Sequence, residues 1–217
     1  TCPLLAAGGR DMTMDSQVGG AGVNPGVWIN KTGHRFAAES VAENLGDIGT
    51  YYGKQPGGIV WSILSQADVD RLVSEGSEIA IGEFVVYHKP MTGLLPELEA
   101  HLESGLVKKA DTFEDLAEQM GVPTDEFVET MTAYNEACEK GVDEAYFKKP
   151  QYLRALAEPP FYGIPLATGT MGSAGGIKVN GDMQVITSDG DAIPGLYAVG
   201  LDATGLYGDS YNMDIPG

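Results

Sequence analysis

The stretch Met171–Gly217, MGSAGGIKVNGDMQVITSDGDAIPGLYAVGLDATGLYGDSYNMDIPG, decides how the chain is read. Short β-branched runs alternate there with Gly and Asn-Gly turns, and the run from Ile193 to Val199 stops at Gly200. An apolar strand that ends at a glycine and opens into a small-residue loop can bring backbone N–H groups close to a ligand. Ile177 to Asn180, the Asn180-Gly181 turn, Met183 to Thr187, the Ser188 to Asp191 turn and Leu196 to Val199 predict a small β unit.

Just upstream, Pro159 and Pro160 bar continuation of a helix, so backbone chemistry sets a change of structure near residue 158. The block before it is helical in pattern. Ser65 and Asp68 form a capping box for an amphipathic run through Val69, Leu72 and Val73 that ends near Gly76. Leu94, Leu95, Leu98 and Leu102 repeat the period. Thr112 caps a third helix that Gly121 stops, and Pro123 opens the longest one, with Phe127, Val128, Met131, Tyr134, Ala137 and Cys138 on one face. Asp125, Glu126 and Glu129 crowd its first turns, where the helix dipole favours acids.

Further back, Val27 to Asn30, the Lys31-Thr32-Gly33 turn and His34 to Phe36 predict a hairpin. Residues 44 to 58 read as a loop, with Tyr51 and Tyr52 as the bulky side chains able to reach over a ligand, and Ile59 to Leu64 as a second strand. Residues 1 to 26, rich in Gly, Met and Asp, read as irregular.

Composition narrows the class. The 217 residues are 43% hydrophobic, enough for a real core and long enough for one large domain or two small ones. Thirty glycines and twelve prolines without a period exclude collagen-like and solenoid architectures. A net charge of −18 repels phosphate backbones and anionic membranes, so no nucleic-acid partner is expected. Cys2 and Cys138 match no zinc or redox spacing and read as free thiols, a disulfide between them being left open, and His34, His88 and His101 match no metal spacing. No metal is expected. No run approaches the roughly 18 to 20 apolar residues of a transmembrane helix, and the beginning, TCPLLAAGGRD, lacks the form of a signal peptide. It also lacks an initiator Met, and the chain reads as an excised fragment or processed product of a soluble protein, cytoplasmic or exported.

Four passages, in order, resemble one family: WINKTGHRFAAES, FEDLAEQMGVPTDEFVETMTAYNEACEKGVD, EPPFYGIPL and AGGIKVNGDMQVITSDGDAIPGLYAVG. Together they are similar to the FAD-dependent flavoproteins of the fumarate reductase and succinate dehydrogenase superfamily, including the flavocytochrome-type reductases. The resemblance implies an α+β fold, a mainly helical cap domain with a β-rich segment belonging to an FAD-binding domain. It divides the chain into an FAD-domain edge (1–37), a cap that closes over substrate (38–157) and a return into the FAD domain (158–217). The chain has no G-x-G-x-x-G between a strand and a helix, so the part that holds the adenosine half of FAD is expected to be missing. The isolated chain is then expected to bind FAD weakly or not at all.

The resemblance also implies the chemistry: hydride from the flavin, a proton donor opposite, and groups that polarise a carbonyl or carboxylate. Fumarate-reducing members carry an Arg shortly after RF-x-x-E, a His before the Gly-Gly and an Arg in the last loop. Here those neighbourhoods hold Ser40 to Asn44, Ala167 to Ser173 with Thr170 as the candidate substrate contact, and about Tyr211. Fumarate is therefore not the expected substrate; an enoate or enone-like small molecule is, with an electron-donor protein as a further partner. Tyr51, Tyr52, Tyr207 and Tyr211 are the candidate proton donors, as phenols serve in members acting on ketosteroids. Arg35 and Glu39 are candidates for substrate binding, with a structural ion pair as the alternative. Gly175, Gly176, Gly200, Asp202, Asn212 and Ile215 are the expected flavin contacts, Asp202 standing in for the family's ribityl-binding acid. A non-catalytic recognition or interaction domain is the alternative function, because half of a flavin site is missing.

Overall fold

In a computed structural model of the chain, the described residues are 2–5, 16–80, 86–169 and 175–204. They divide into two compact units, one over Cys2–Gly169 and one made by the chain after it.

The first unit is built on an antiparallel sheet. Its strands are β1 (Cys2–Leu5), β2 (Val27–Ile29), β3 (Ile59–Ser65), β4 (Lys108–Ala110) and β5 (Phe161–Gly169). The order is β1-β5-β3-β2, with β4 also paired to β5. β5 and β3 are matched from Ile59 opposite Ala167 to Ser65 opposite Phe161. On its other side β5 pairs with β4 through Phe161 to Gly163 and with β1 through Leu166 to Gly169. The strand that sequence assigns to the return segment is thus the centre of this unit's sheet.

Side chains alternate across the pleat, and both faces are covered. Trp28, Val60, Leu64, Tyr162, Ile164 and Leu166 join one core with Ile48, Tyr52, Leu72, Leu94 and Leu98. Val27, Ile29, Ile63 and Phe161 point the other way, into a core with Leu116, Phe127 and Met131. The first face is packed by α1 (Gln17–Val23), α2 (Leu45–Gly53), α3 (Gln66–Glu75) and α4 (Leu94–Glu103), the second by α5 (Phe113–Met120) and α6 (Thr124–Lys140).

The expected helix ends are present. The Ser65 hydroxyl accepts from the Asp68 N–H at 3.3 Å and the Asp68 carboxylate accepts from the Ser65 N–H at 3.0 Å. The Thr112 hydroxyl accepts from the Asp115 N–H at 3.1 Å, and Gly121 ends α5 in the left-handed region.

Two expectations need correction. Residues 1 to 26 are not wholly irregular, since they contain β1 and α1. The helix is glycine-rich because of where it lies: a Cβ on Gly22 would stand 3.2 Å from Ile164 and Leu166 of the sheet. Close packing on the sheet outweighs the low helix propensity that made the stretch look irregular. Residues 44 to 58 are not a loop either. α2 occupies Leu45–Gly53, held by burial of Ile48 and Tyr52, which overrides its three glycines.

The second unit contains β6 (Ile177–Lys178), β7 (Gln184–Ile186), β8 (Ala192–Tyr197) and β9 (Ala203–Thr204). β7 and β8 form the expected antiparallel hairpin, and β6 pairs with β9 in parallel. The protein is a mixed helix and sheet structure, and no helix among its described residues is long and apolar enough to cross a membrane.

Candidate functional site

The second unit contains four of the glycine and acid positions singled out in sequence. The parallel pairing of β6 with β9 sets Ile177 beside Ala203, so the residues entering each strand lie side by side. A Cβ on Gly176 would fall 2.4 Å from the Asp202 carbonyl oxygen and 2.9 Å from the Ala203 nitrogen. Only a glycine permits that approach. Gly200 opens the turn Gly200–Asp202 with φ of 61°. Gly175 and the Asp202 residue are exposed beside it. This is a small-residue, backbone-presenting corner with one carboxylate. Thr170, Tyr207, Tyr211, Asn212 and Ile215 lie outside the described residues.

In the first unit the two adjacent tyrosines separate. Tyr51 is 39% exposed on α2, whereas Tyr52 is fully buried. The Tyr52 ring meets Trp28 edge-on at 5.0 Å and Phe36 at 6.1 Å. Burial, with Glu39 nearby, pushes its phenol well above the usual tyrosine value. The correction for Tyr52 follows from helix geometry: neighbouring residues on a helix face different ways, and this one faces the core.

Arg35 and Glu39 are likewise buried, within a four-charge cluster. The Arg35 Nε and Nη2 donate to the two Glu39 oxygens at 2.8 and 2.7 Å, and Nη2 also donates to Asp143 Oδ2 at 2.8 Å. Lys148 Nζ lies 3.5 Å from Glu39 Oε2 and donates to the Tyr134 hydroxyl at 3.0 Å. The Arg35 guanidinium sits between the rings of Tyr134 and Tyr146, 4.9 and 5.0 Å from their centroids. Two positive and two negative groups balance, as a dry site requires.

The shifts follow from this setting. Burial pulls the Arg35 value down, but Glu39 and Asp143 outweigh it and raise it above the normal guanidinium range. Burial pushes the Asp143 carboxyl up, yet Arg35 and the N–H groups of Tyr146 and Lys148 hold it below the usual carboxylate value. Desolvation lowers Lys148, with Glu39 opposing. Arg35 and Glu39 therefore have their charges met within the protein. In sequence, Tyr134 stands out only as part of the apolar face of the longest helix, and Asp143 not at all. The signal was an acid just after the glycine that ends the longest helix. Lys148, the fourth charge, carried none.

Among the described residues no group of His, Cys, Asp and Glu has the geometry to hold a metal ion, and Cys138 is a free, half-buried thiol.

An antiparallel sheet covered by helices on both faces, followed in the chain by a small glycine-rich β unit, is a mixed helix and sheet architecture. The chain matches the family "FAD binding domain" over residues 4–213, and it belongs to that family; its cofactor is FAD. It is similar to the vinyl phenol reductase of Lactiplantibacillus plantarum, 36% identical over 199 residues, covering 91% of this chain and 40% of that protein. The chain thus spans well under half of that relative's length. Among solved structures it resembles 3-ketosteroid Δ1-dehydrogenase from Sterolibacterium denitrificans, solved in complex with 1,4-androstadiene-3,17-dione, at TM-score 0.69 and 20% identity, covering 97% of this chain and 38% of that one. It also resembles the open conformation of a flavocytochrome c3 fumarate reductase at TM-score 0.55 and 22% identity, over 96% of this chain and 32% of that one. The resemblance to the fumarate reductase superfamily read from sequence therefore holds.

Proposed function

We propose that the chain is part of an FAD-dependent oxidoreductase that reduces or dehydrogenates a C–C bond conjugated to a polarising group, with a substrate other than fumarate. The observation that carries this is the contact between Gly176 and Asp202, a corner only glycine can form, within a chain matched to the FAD family almost end to end. Kinship with a vinyl phenol reductase supports a conjugated alkene as the substrate class.

When bound, FAD supplies the hydride. The residues of the chain hold and shape the site around it. Gly175, Gly176 and Gly200 would present backbone to the cofactor, and the Asp202 carboxylate would accept a hydrogen bond from a hydroxyl of its polar chain. Asn212 and Ile215 are the candidates to contact the flavin ring, and Thr170 is the candidate to contact substrate. Tyr51, Tyr207 and Tyr211 are the candidate proton donors, because a phenol can deliver a proton or polarise a carbonyl. The segment 38–157 acts as the cap over the substrate, and electrons come from a donor protein.

The test is a reduced-dye assay of the full-length protein against vinyl phenols, enones, enoates and fumarate. Turnover of a conjugated alkene in preference to fumarate is expected, and efficient fumarate turnover contradicts the reading. For the isolated 217-residue chain, FAD is expected not to co-elute on gel filtration.

A further inference from the structure

An open cleft of about 460 Å³ lies in the first unit beside α6. The apolar part of its lining is made of small residues set among polar ones. Ala133 and Ala137 stand one helical turn apart on α6, and Ala145 and the exposed Val142 line it as well. The floor includes Arg35, fixed between Tyr134 and Tyr146, with the Tyr146 hydroxyl donating to the Arg35 carbonyl at 2.7 Å. Such a floor keeps its shape when a ligand arrives.

The rim has the opposite character. Glu129, Glu136 and Glu144 are exposed around the cleft. Lys140 approaches Glu136 only at 3.9 Å, and Glu129 and Glu144 have no ion-pair partner among the described residues. Of the other basic side chains in the lining, Arg35 is neutralised by Glu39 and Asp143, and His34 Nδ1 lies 3.5 Å from the Thr130 hydroxyl. A ligand therefore meets an apolar trough edged by uncompensated negative charge, on a chain with net charge −18.

Beyond Ala145 the chain spends strain on an exposed aromatic. Phe147 is 79% exposed and has φ of 59°, a conformation costly for a residue with a Cβ. Its N–H donates to the Asp143 carbonyl at 2.9 Å, and the next side chain, Lys148, is buried.

We propose that this cleft is a docking groove for a basic, amphipathic peptide segment of a partner protein. The apolar side of the segment lies against Ala133, Ala137 and Val142, and its lysines or arginines pair with Glu129 and Glu144. Apolar anchors in a shallow groove give such contacts their affinity, and charge pairs at the rim give orientation and salt dependence.

The experiment uses the whole 217-residue chain and two designed probes, a Leu/Lys amphipathic peptide and the same peptide with glutamate for lysine. Binding is followed by fluorescence anisotropy at low and high salt. The Lys probe is expected to bind and the Glu probe not. Ala137→Gln and Val142→Asn are expected to weaken binding at least ~10-fold, and Glu129→Lys with Glu144→Lys to weaken it and flatten its salt dependence. Circular dichroism confirms that the variants are folded; Glu129→Gln with Glu144→Gln serves if the reversals are not. Unchanged binding in folded cleft variants overturns the proposal. So does equal competition by spermidine, which would make the site one for small cations.

Discussion

Glu39 shows what a single buried charge does here. It accepts from Arg35, lies against Lys148 and receives the Trp28 N–H at 3.3 Å, so it ties the β2 turn to the segment after α6. Glu39→Gln leaves Lys148 without an ion-pair partner and Arg35 with Asp143 alone, and is expected to cost about 3 to 5 kcal/mol, read from urea unfolding. Arg35 and Glu39 bind each other directly, so Arg35→Met together with Glu39→Leu is expected to lose less than the sum of the singles. Asp143 sets a pH dependence. Its folded pKa lies below the unfolded value, so its contribution is complete above about pH 4 and drains away as pH falls through the folded value. Asp143→Asn is expected to show a shallower fall of the urea midpoint between about pH 4 and pH 2. At Phe147 the sign reverses: Phe147→Gly relieves a φ of 59° on an exposed residue and is expected to raise the unfolding midpoint.

At the level of elements, the helix signals in sequence are local, and local signals are legible. Ser65 with Asp68 and Thr112 with Gly121 act where their chemistry requires. Ser65→Ala is expected to cost about 1 kcal/mol, measured by thermal unfolding. α1 and α2 escaped detection because their stability comes from contact with a sheet formed by distant residues. Gly22 and Tyr52 are explained by Ile164, Leu166 and Trp28, which no local window contains. The buried cluster was half legible for the same reason: Arg35 and Glu39 are four residues apart, whereas Asp143 lies 108 residues from Arg35. In the second unit, Gly176→Ala drives a Cβ into the Asp202 carbonyl. In the full-length protein it is expected to lower flavin occupancy, read as the ratio of flavin to protein absorbance, without unfolding the first unit.

The whole molecule couples a sheet covered on both faces with a separate glycine-rich unit that follows it in the chain. The family and its cofactor were legible because four spaced passages keep their order, and the match over residues 4–213 agrees. The site was legible only where backbone geometry dictates residue type, as at Gly176. The tyrosines could not be sorted by composition, since Tyr51 and Tyr52 differ only in which side of α2 they face. The direct test of the account is to photoreduce the flavin of the full-length protein without oxygen, then mix it with a vinyl phenol, an enone or fumarate and follow flavin absorbance. The account predicts rapid reoxidation by a conjugated alkene other than fumarate. Fastest reoxidation by fumarate, or a purified full-length protein that carries no flavin, would contradict it.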